Sequence, residues 1–295
     1  MNEFKNYHPA VGLAYFAAVI GLAMVLMHPV CLLISLVCAF IWSVMLDGKR
    51  RIGSRAAFLT ALILLAALVN PAFSHEGVTV LAYLPSGNPL TLESVYYGLA
   101  AGMMLSAVIT WFTCFNRVMT SDKILYLFGR VIPASSLVLS MVFRFVPRFR
   151  AKLAEMELAQ KGIGQGASQG SVIKRAKKGL TLVSMLTTNA LENSVETADS
   201  MKSRGYGLPG RSAFSLYTFR RRDRTALVCL AVLFVYVAAG SAAGGVYFRY
   251  FPSVKAAPLT LFTVSLLAAY LLLCAMPIAV QLWEVRRWKA IKSNI

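Results

Sequence analysis

The sequence predicts an all-α, polytopic membrane protein, with about six transmembrane helices and a set of cytoplasmic amphipathic helices. Three observations predict it. The 295-residue chain is 58% hydrophobic and only 14% charged, far from the balance of a soluble domain. Its apolar residues gather into six runs, each near the roughly 20 residues that cross a bilayer. The net charge is nevertheless +18, and the basic residues cluster in alternate segments between those runs.

Residues 10–27 and 29–46 are two nearly uncharged runs divided only by His28-Pro29, which predicts a tight turn. The preceding segment, 1–8, carries one acid and one base, and no small-residue cleavage site follows. The first run is therefore expected to stay as a membrane helix and not to leave as a signal peptide. Residues 47–55 form a basic loop, and 56–72 a third run that ends near Asn70-Pro71. Residues 74–92 lack Lys and Arg and hold Pro85, Gly87, Asn88 and Pro89, which read as turns. In the fourth run, 94–115, Gly98 and Gly102 stand four apart. That spacing would permit a close helix contact, although the general frequency of glycine in membrane helices is the slightly favoured explanation.

Three regions follow from this pattern: transmembrane helices in 1–116, a cytoplasmic or interfacial helical region in 117–224, and transmembrane helices with a basic tail in 225–295. Within the middle region, residues 132–146 are apolar. Pro133 lies near their start, Arg144 interrupts them, and Pro147 sits just past their end. The stretch is short for a span and suits a buried or interfacial helix. Residues 148–162 read as a separate amphipathic helix, ended by the glycine-rich 162–170. Lys174, Arg175, Lys177 and Lys178 form a basic cluster. A helix over 179–204 follows, with one face of Leu180, Val183, Thr187, Ala190, Leu191, Val195, Ala198 and Met201. Glu192, Glu196 and Asp199 lie on another face. The helix should stop near Gly205, because Gly207, Pro209 and Gly210 forbid its continuation. Lys202 and Arg204 then lie at its end, where the helix dipole favours a cation. Taken alone, this is a well-capped, solvated helix end. The sharper reading offers the planar fork of Arg204 to a partner's carboxylate.

The fifth run is 226–248 and the sixth 258–283, with Trp283 and Trp288 placed for a membrane interface. Basic residues mark one side. They fill 47–55, 116–224 and the tail, and the opposite side holds only Arg249 and Lys255. This asymmetry predicts a multi-pass protein of the cell membrane with both termini cytoplasmic.

Catalytic chemistry is not visible. The chain has no nucleophile elbow, phosphate-binding loop or zinc-protease motif. The five cysteines make no Cys-x-x-Cys pair and read as small hydrophobes. His8, His28 and His75 show no ligand spacing. The runs also lack the midplane acid that a self-powered ion-driven carrier would use. Anionic lipid is the expected contact of Lys174–Lys178 and Arg220–Arg224, and no nucleic-acid partner is expected, because membrane orientation already explains the charge.

Residues 133–150, PASSLVLSMVFRFVPRFR, resemble the Pro…Arg-Phe-x-Pro helix of the transmembrane T component of energy-coupling factor (ECF) transporters, the EcfT/CbiQ family. The end of Glu192–Gly205, with Ala-Asp-Ser-Met-Lys-Ser-Arg-Gly, is similar to that family's second Arg-Gly signature. The resemblance is close over 130–224 and loose elsewhere. It implies a membrane scaffold that joins two cytoplasmic ABC ATPase subunits, or a fused pair, to a small membrane subunit capturing a vitamin, vitamin precursor or metal ion. ATP would be bound by the partners, and this chain would carry no cofactor and no enzymatic activity. The resemblance implies coupling helices that each end in an Ala-Arg-Gly-like triplet, whose Arg docks in an ATPase groove. Pro133, Arg144 and Pro147 would serve the packing of these helices. Ser203-Arg204-Gly205 matches the second triplet. The first departs from the pattern: an ungapped alignment gives Gly162-Ile163-Gly164 with no Arg, and a shifted one gives Gln160-Lys161-Gly162. The two rival readings are a stand-alone carrier or pore and a membrane-embedded enzyme.

Overall fold

The computed structural model describes residues 3–48, 52–74, 76–83, 89–131, 133–166, 171–206, 208, 217–258 and 260–293. Several expected turn and loop residues lie outside them: Lys49, Arg50 and Arg51, Pro85, Gly87 and Asn88, residues 167–170, and Gly207, Pro209 and Gly210.

Helices α1 (Pro9–Val25) and α2 (Pro29–Asp47) begin alike. Each has proline at its first position, where a missing N–H is harmless. Each is preceded by a histidine whose Nδ1 accepts from the amide two residues on, Ala10 to His8 at 3.2 Å and Val30 to His28 at 3.3 Å. Both histidines are therefore helix caps. Burial lowers the pKa of His28, which keeps its acceptor nitrogen unprotonated.

Among the described residues five helices are long and apolar enough to cross a membrane: α2, α3 (Ile52–Phe73), α4 (Leu92–Val118), α8 (Arg221–Ala242) and α9 (Leu261–Ser293). Helix α1 is apolar throughout but has 17 residues, about 25 Å against a hydrocarbon core of about 30 Å. The fifth run thus begins inside its basic cluster and ends before 248, and the tail continues the last helix. The loops after α3 and α8 carry more structure than turns. Strand β1 (Val80–Tyr83) pairs antiparallel with β2 (Pro89–Thr91), and β3 (Phe248–Arg249) with β4 (Lys255–Ala256). The first hairpin is held on the start of α4 by Glu93, whose carboxylate accepts from the Thr79 hydroxyl at 2.9 Å, and by Ser94, which donates to the Ser74 carbonyl at 2.7 Å.

The chain divides into two compact units, 1–124 with 217–295, and 125–216. The first is built round buried rings. Phe16 stacks on Trp42 at 5.5 Å, and Trp42 lies 5.8 Å from Trp111. Trp111 Nε1 donates to Ser35 Oγ at 2.9 Å, and the Tyr15 hydroxyl to the Cys274 carbonyl at 3.1 Å, so α1, α2, α4 and α9 share one core. Cys31, Cys38, Cys114 and Cys274 are buried and free of disulfides, and the Cys114 thiol donates to the Ala39 carbonyl at 3.8 Å; Cys229 is exposed.

Two polar clusters tie the helix ends. Asp47 pairs with Arg55 and, at 3.0 Å, with Arg117, joining the end of α2, the start of α3 and the end of α4. Asp223 accepts from the amides of Arg220 at 2.9 Å and His8 at 3.1 Å, joining the starts of α8 and α1. Beside it, Arg222 lies 4.3 Å over the Tyr7 ring and pairs with Glu284 at 3.3 Å.

Helix α3 lies on α4 through glycine. A Cβ on Gly98 would stand 2.9 Å from the Ala66 carbonyl oxygen, and one on Gly102 would stand 2.9 Å from Ile63 Cα. The four-residue spacing is therefore a contact surface, and the compositional explanation of these glycines is superseded.

The second unit holds most of α5 (Ser121–Val131), with α6 (Pro133–Gly162) and α7 (Val172–Ser203). Here the expected boundaries shift. Residues 133–162 form one helix through Pro147, although proline has no N–H for the Phe143 carbonyl and disfavours a helix interior. Helix α7 begins seven residues early and takes the Lys174–Lys178 cluster into its first turns.

Gly98→Val and Gly102→Val should each destabilise the protein by about 1–3 kcal/mol through overpacking, read as a lower midpoint of heat unfolding in detergent. Gly21→Ala, with nothing within 4 Å of its added Cβ, should be neutral or better.

Candidate docking site at two helix ends

Helices α6 and α7 run antiparallel. Gln160 Nε2 donates to Met185 Sδ at 3.7 Å, and Lys178 Nζ to the Gly166 carbonyl at 3.4 Å, so the end of α6 lies beside the first half of α7. Further along, Phe145, Phe149 and Lys152 face Asn189 and Asn193 across a cleft of about 540 Å³. The C-terminal ends of the two helices consequently point to opposite ends of the pair. From the level of Leu182 to Arg204 the helical rise places them roughly 30 Å apart.

Each end must satisfy carbonyls that have no partner within the helix. Both do so by the same motif. In α7 the Tyr206 amide donates to the Met201 carbonyl at 3.0 Å and the Gly205 amide to Lys202 at 3.0 Å. In α6 the Gln165 amide donates to Gln160 at 2.8 Å and the Gly164 amide to Lys161 at 3.1 Å. These are paired Schellman closures. Their pivots are Gly205 at φ +76° and Gly164 at φ +74°, in the left-handed region where a side chain is strained.

The closures set the two ends in register without adjustment: Ser203-Arg204-Gly205 falls on Gly162-Ile163-Gly164. The ungapped alignment is therefore the one with matched backbones. Arg204, the capping residue, is exposed, and its guanidinium has no partner among the described residues. Ser203 turns back and donates to the Ser200 carbonyl at 2.9 Å. Lys161 does not occupy the arginine position. It sits two residues earlier, level with Lys202, and is paired with Glu157 at 2.8 Å. Gly162 is the last residue of α6.

Of the packing residues, Pro133 opens α6, and nothing is described of its side chain. Arg144 is exposed, its guanidinium carbon 5.5 Å from the Phe145 ring centre. Pro147 is exposed inside the helix, between Phe145 and Phe149, which stack at 5.7 Å. Of the apolar face expected for α7, Ala190 lines the cleft with α6, but Leu180, Val183, Leu191 and Val195 are all exposed. The face turned to α6 carries Asn189, Ala190, Asn193 and Ser194. Ile163 stands in the ungapped triplet read from the sequence only as the position lacking an Arg; the rule that glycine follows the capping residue marks it as the cap.

The family profile of the cobalt transport proteins, CbiQ, matches residues 2–215, a stretch that includes both helix ends. The chain belongs to that family. It is also similar to proteins named energy-coupling factor transporter transmembrane protein EcfT. The Lactobacillus helveticus protein is 30% identical over 38% of this chain and 40% of its own length. The Brevibacillus brevis protein is 26% identical over 49% of this chain and 57% of its own. The Bacillus selenitireducens protein is 28% identical over 62% and 70%. The chain thus spans about half the length of the first two. It is a multi-pass membrane protein of a transport family.

Gly205→Ala and Gly164→Ala should each loosen a closure by about 1–2 kcal/mol. Hydrogen exchange of the Tyr206 or Gln165 amide should then quicken by roughly 5- to 30-fold, whereas Gly179→Ala, in open space within α7, should change neither.

Proposed function

We propose that the chain is the membrane scaffold of an ECF-type ABC importer. In this reading it couples ATP hydrolysis by two cytoplasmic ATPase subunits, or a fused pair, to movement of a small membrane subunit that captures a vitamin, vitamin precursor or metal ion. ATP is bound by the partners; this chain performs no catalysis and holds no cofactor. It lies in the cell membrane with both termini cytoplasmic, because its basic residues gather in alternate segments between the apolar runs.

The observation that carries the reading is Arg204: an exposed guanidinium with no partner among the described residues, held at a rigid helix end by a glycine closure. A second helix end with the same backbone stands at the far end of the pair, which suits a partner with two grooves. The exposed stripe of α7, Leu180, Val183, Leu191 and Val195, supplies an apolar surface for the membrane-embedded capture subunit. Lys174, Arg175, Lys177 and Lys178 lie in the first turns of α7, where the dipole disfavours cations; anionic lipid headgroups offset that repulsion.

Truncating one partner of a buried charged hydrogen bond costs about 2–5 kcal/mol. Arg204→Ala should therefore reduce co-purification of the ATP-binding subunits at least about thirtyfold, with normal membrane insertion. Arg204→Lys should restore part of it, since lysine keeps the charge and loses the fork. Lys177→Ala should leave assembly intact. Full assembly by Arg204→Ala, or an equal loss with Lys177→Ala, would remove the docking role and leave Arg204 as an ordinary C-terminal cation.

A further inference from the structure

Ahead of α1, residues 3–6 form one short 3-10 turn. Phe4 plants that turn in the aromatic core, with its ring 5.4 Å from Tyr15 and 5.6 Å from Trp42. Each residue from Lys5 to His8 then touches a point where the chain leaves for the second unit or returns from it. On the outgoing side, Lys123 in the first turn of α5 is buried, and its ammonium donates to the Lys5 carbonyl. On the returning side, Arg222 in the first turn of α8 donates to the Asn6 carbonyl at 3.3 Å and covers the Tyr7 ring. Asp223 accepts from the His8 amide at 3.1 Å, and the His8 ring meets Phe219 at 5.1 Å. The two sides also lie within reach of each other: burial, and then the Asp122 carboxylate, raise the pKa of Tyr217.

We propose that residues 4–8 are a clasp that couples the two roots of the second unit to each other and to the membrane core, and that this coupling passes movement of the second unit into the membrane unit. The transmitting role rests on the reading of the chain as a coupling scaffold; the clasp itself does not. A displacement at the start of α5 pulls on the Lys5 carbonyl. The same run of backbone, one to three residues on, carries the contacts to α8. A short turn that leads straight into a capped helix has little slack, and the buried ring of Phe4 keeps it from moving as a free tail. The outgoing contact also resists opening. An ammonium that left its carbonyl would remain buried with an unmet donor. Lys123 and Tyr7 are therefore positioning residues, and each acts through the clasp.

The test uses the full-length chain. In detergent, hydrogen exchange of the Ile124 amide, which donates to Thr120, reports the outgoing root, and that of the Arg224 amide, which donates to Arg220, the returning one. Lys123→Met should quicken exchange roughly tenfold at Ile124 and at least about threefold at Arg224. Tyr7→Leu, which removes the ring under Arg222, should quicken both by at least about twofold, with Arg224 the more affected. Coupling between two sites is reciprocal, so the double variant should fall short of the product of the two effects. Arg55→Met, which cuts the separate clamp on Asp47, should change neither amide. In membranes holding the chain with its ATP-binding and capture subunits, Lys123→Met should lower solute uptake per ATP hydrolysed at least about threefold, with co-purification unchanged. Exchange effects confined to the root that was cut, or uptake per ATP equal to wild type despite loosened roots, would overturn the proposal. If Lys123→Met does not fold, Tyr7→Leu carries both readouts. Full assembly by Arg204→Ala would instead remove the scaffold reading and leave the exchange result standing.

Discussion

A helix that ends in water must find donors for its last carbonyls, and both α6 and α7 find them by turning back on a left-handed glycine. Gly164 and Gly205 let the two amides that follow the capping residue reach carbonyls inside the helix. The closure does more than stop the helix. It fixes the capping residue's backbone while leaving its side chain outside, so Ile163 and Arg204 are presented on stiff mounts. A long side chain loses less entropy on docking when its root is already immobile. Everything proposed for the second unit depends on this one backbone constraint.

The membrane unit uses polar residues differently. Its centre is aromatic, with Trp42, Trp111, Tyr15 and Phe16 meeting across several helices. Two acids at helix ends, Asp47 and Asp223, each gather two or more elements. Both acids sit among arginines. The strongly basic composition therefore serves two physical purposes. Many cations lie in alternate segments between the apolar runs, and Arg55, Arg117 and Arg222 form clamps where a carboxylate would otherwise be stranded. Helix α3 belongs to this unit by one face only. It lies against Gly98 and Gly102, and its other side, including Leu68 and Phe73, is exposed and fit for lipid.

Much of this was legible in the residues. The long apolar runs became α2, α3, α4, α8 and α9, because hydrocarbon thickness and backbone hydrogen bonding leave a helix as the natural solution. The stop at Gly205 and the exposure of Arg204 followed from cap rules, which act within a few residues. What escaped depended on distant neighbours or on competing local signals. Pro147 read as a boundary, since the cost of proline is local and the packing that holds α6 together across it is not. The ungapped triplet contained Ile163 but not its role, although the spacing of Gly164 after it is the same signal that marks Arg204. Gly98 and Gly102 were ambiguous for a plain reason: composition alone cannot distinguish a glycine that makes room for Ile63 and Ala66 from one that does not. The apolar periodicity of α7 was legible, but not that Leu180, Val183, Leu191 and Val195 stay exposed, because periodicity shows a face and not what meets it.

The central claim is that the end of α7 lies in a groove of an ATP-binding subunit. The most direct measurement is site-specific cross-linking from Arg204→Cys in a chain whose five native cysteines are replaced, carried out in membranes holding the whole complex. The account predicts an efficient cross-link from position 204 to an ATP-binding subunit, and none from Lys177→Cys in the basic cluster of α7. Absence of the cross-link at 204, or equal cross-linking from both positions, would contradict it.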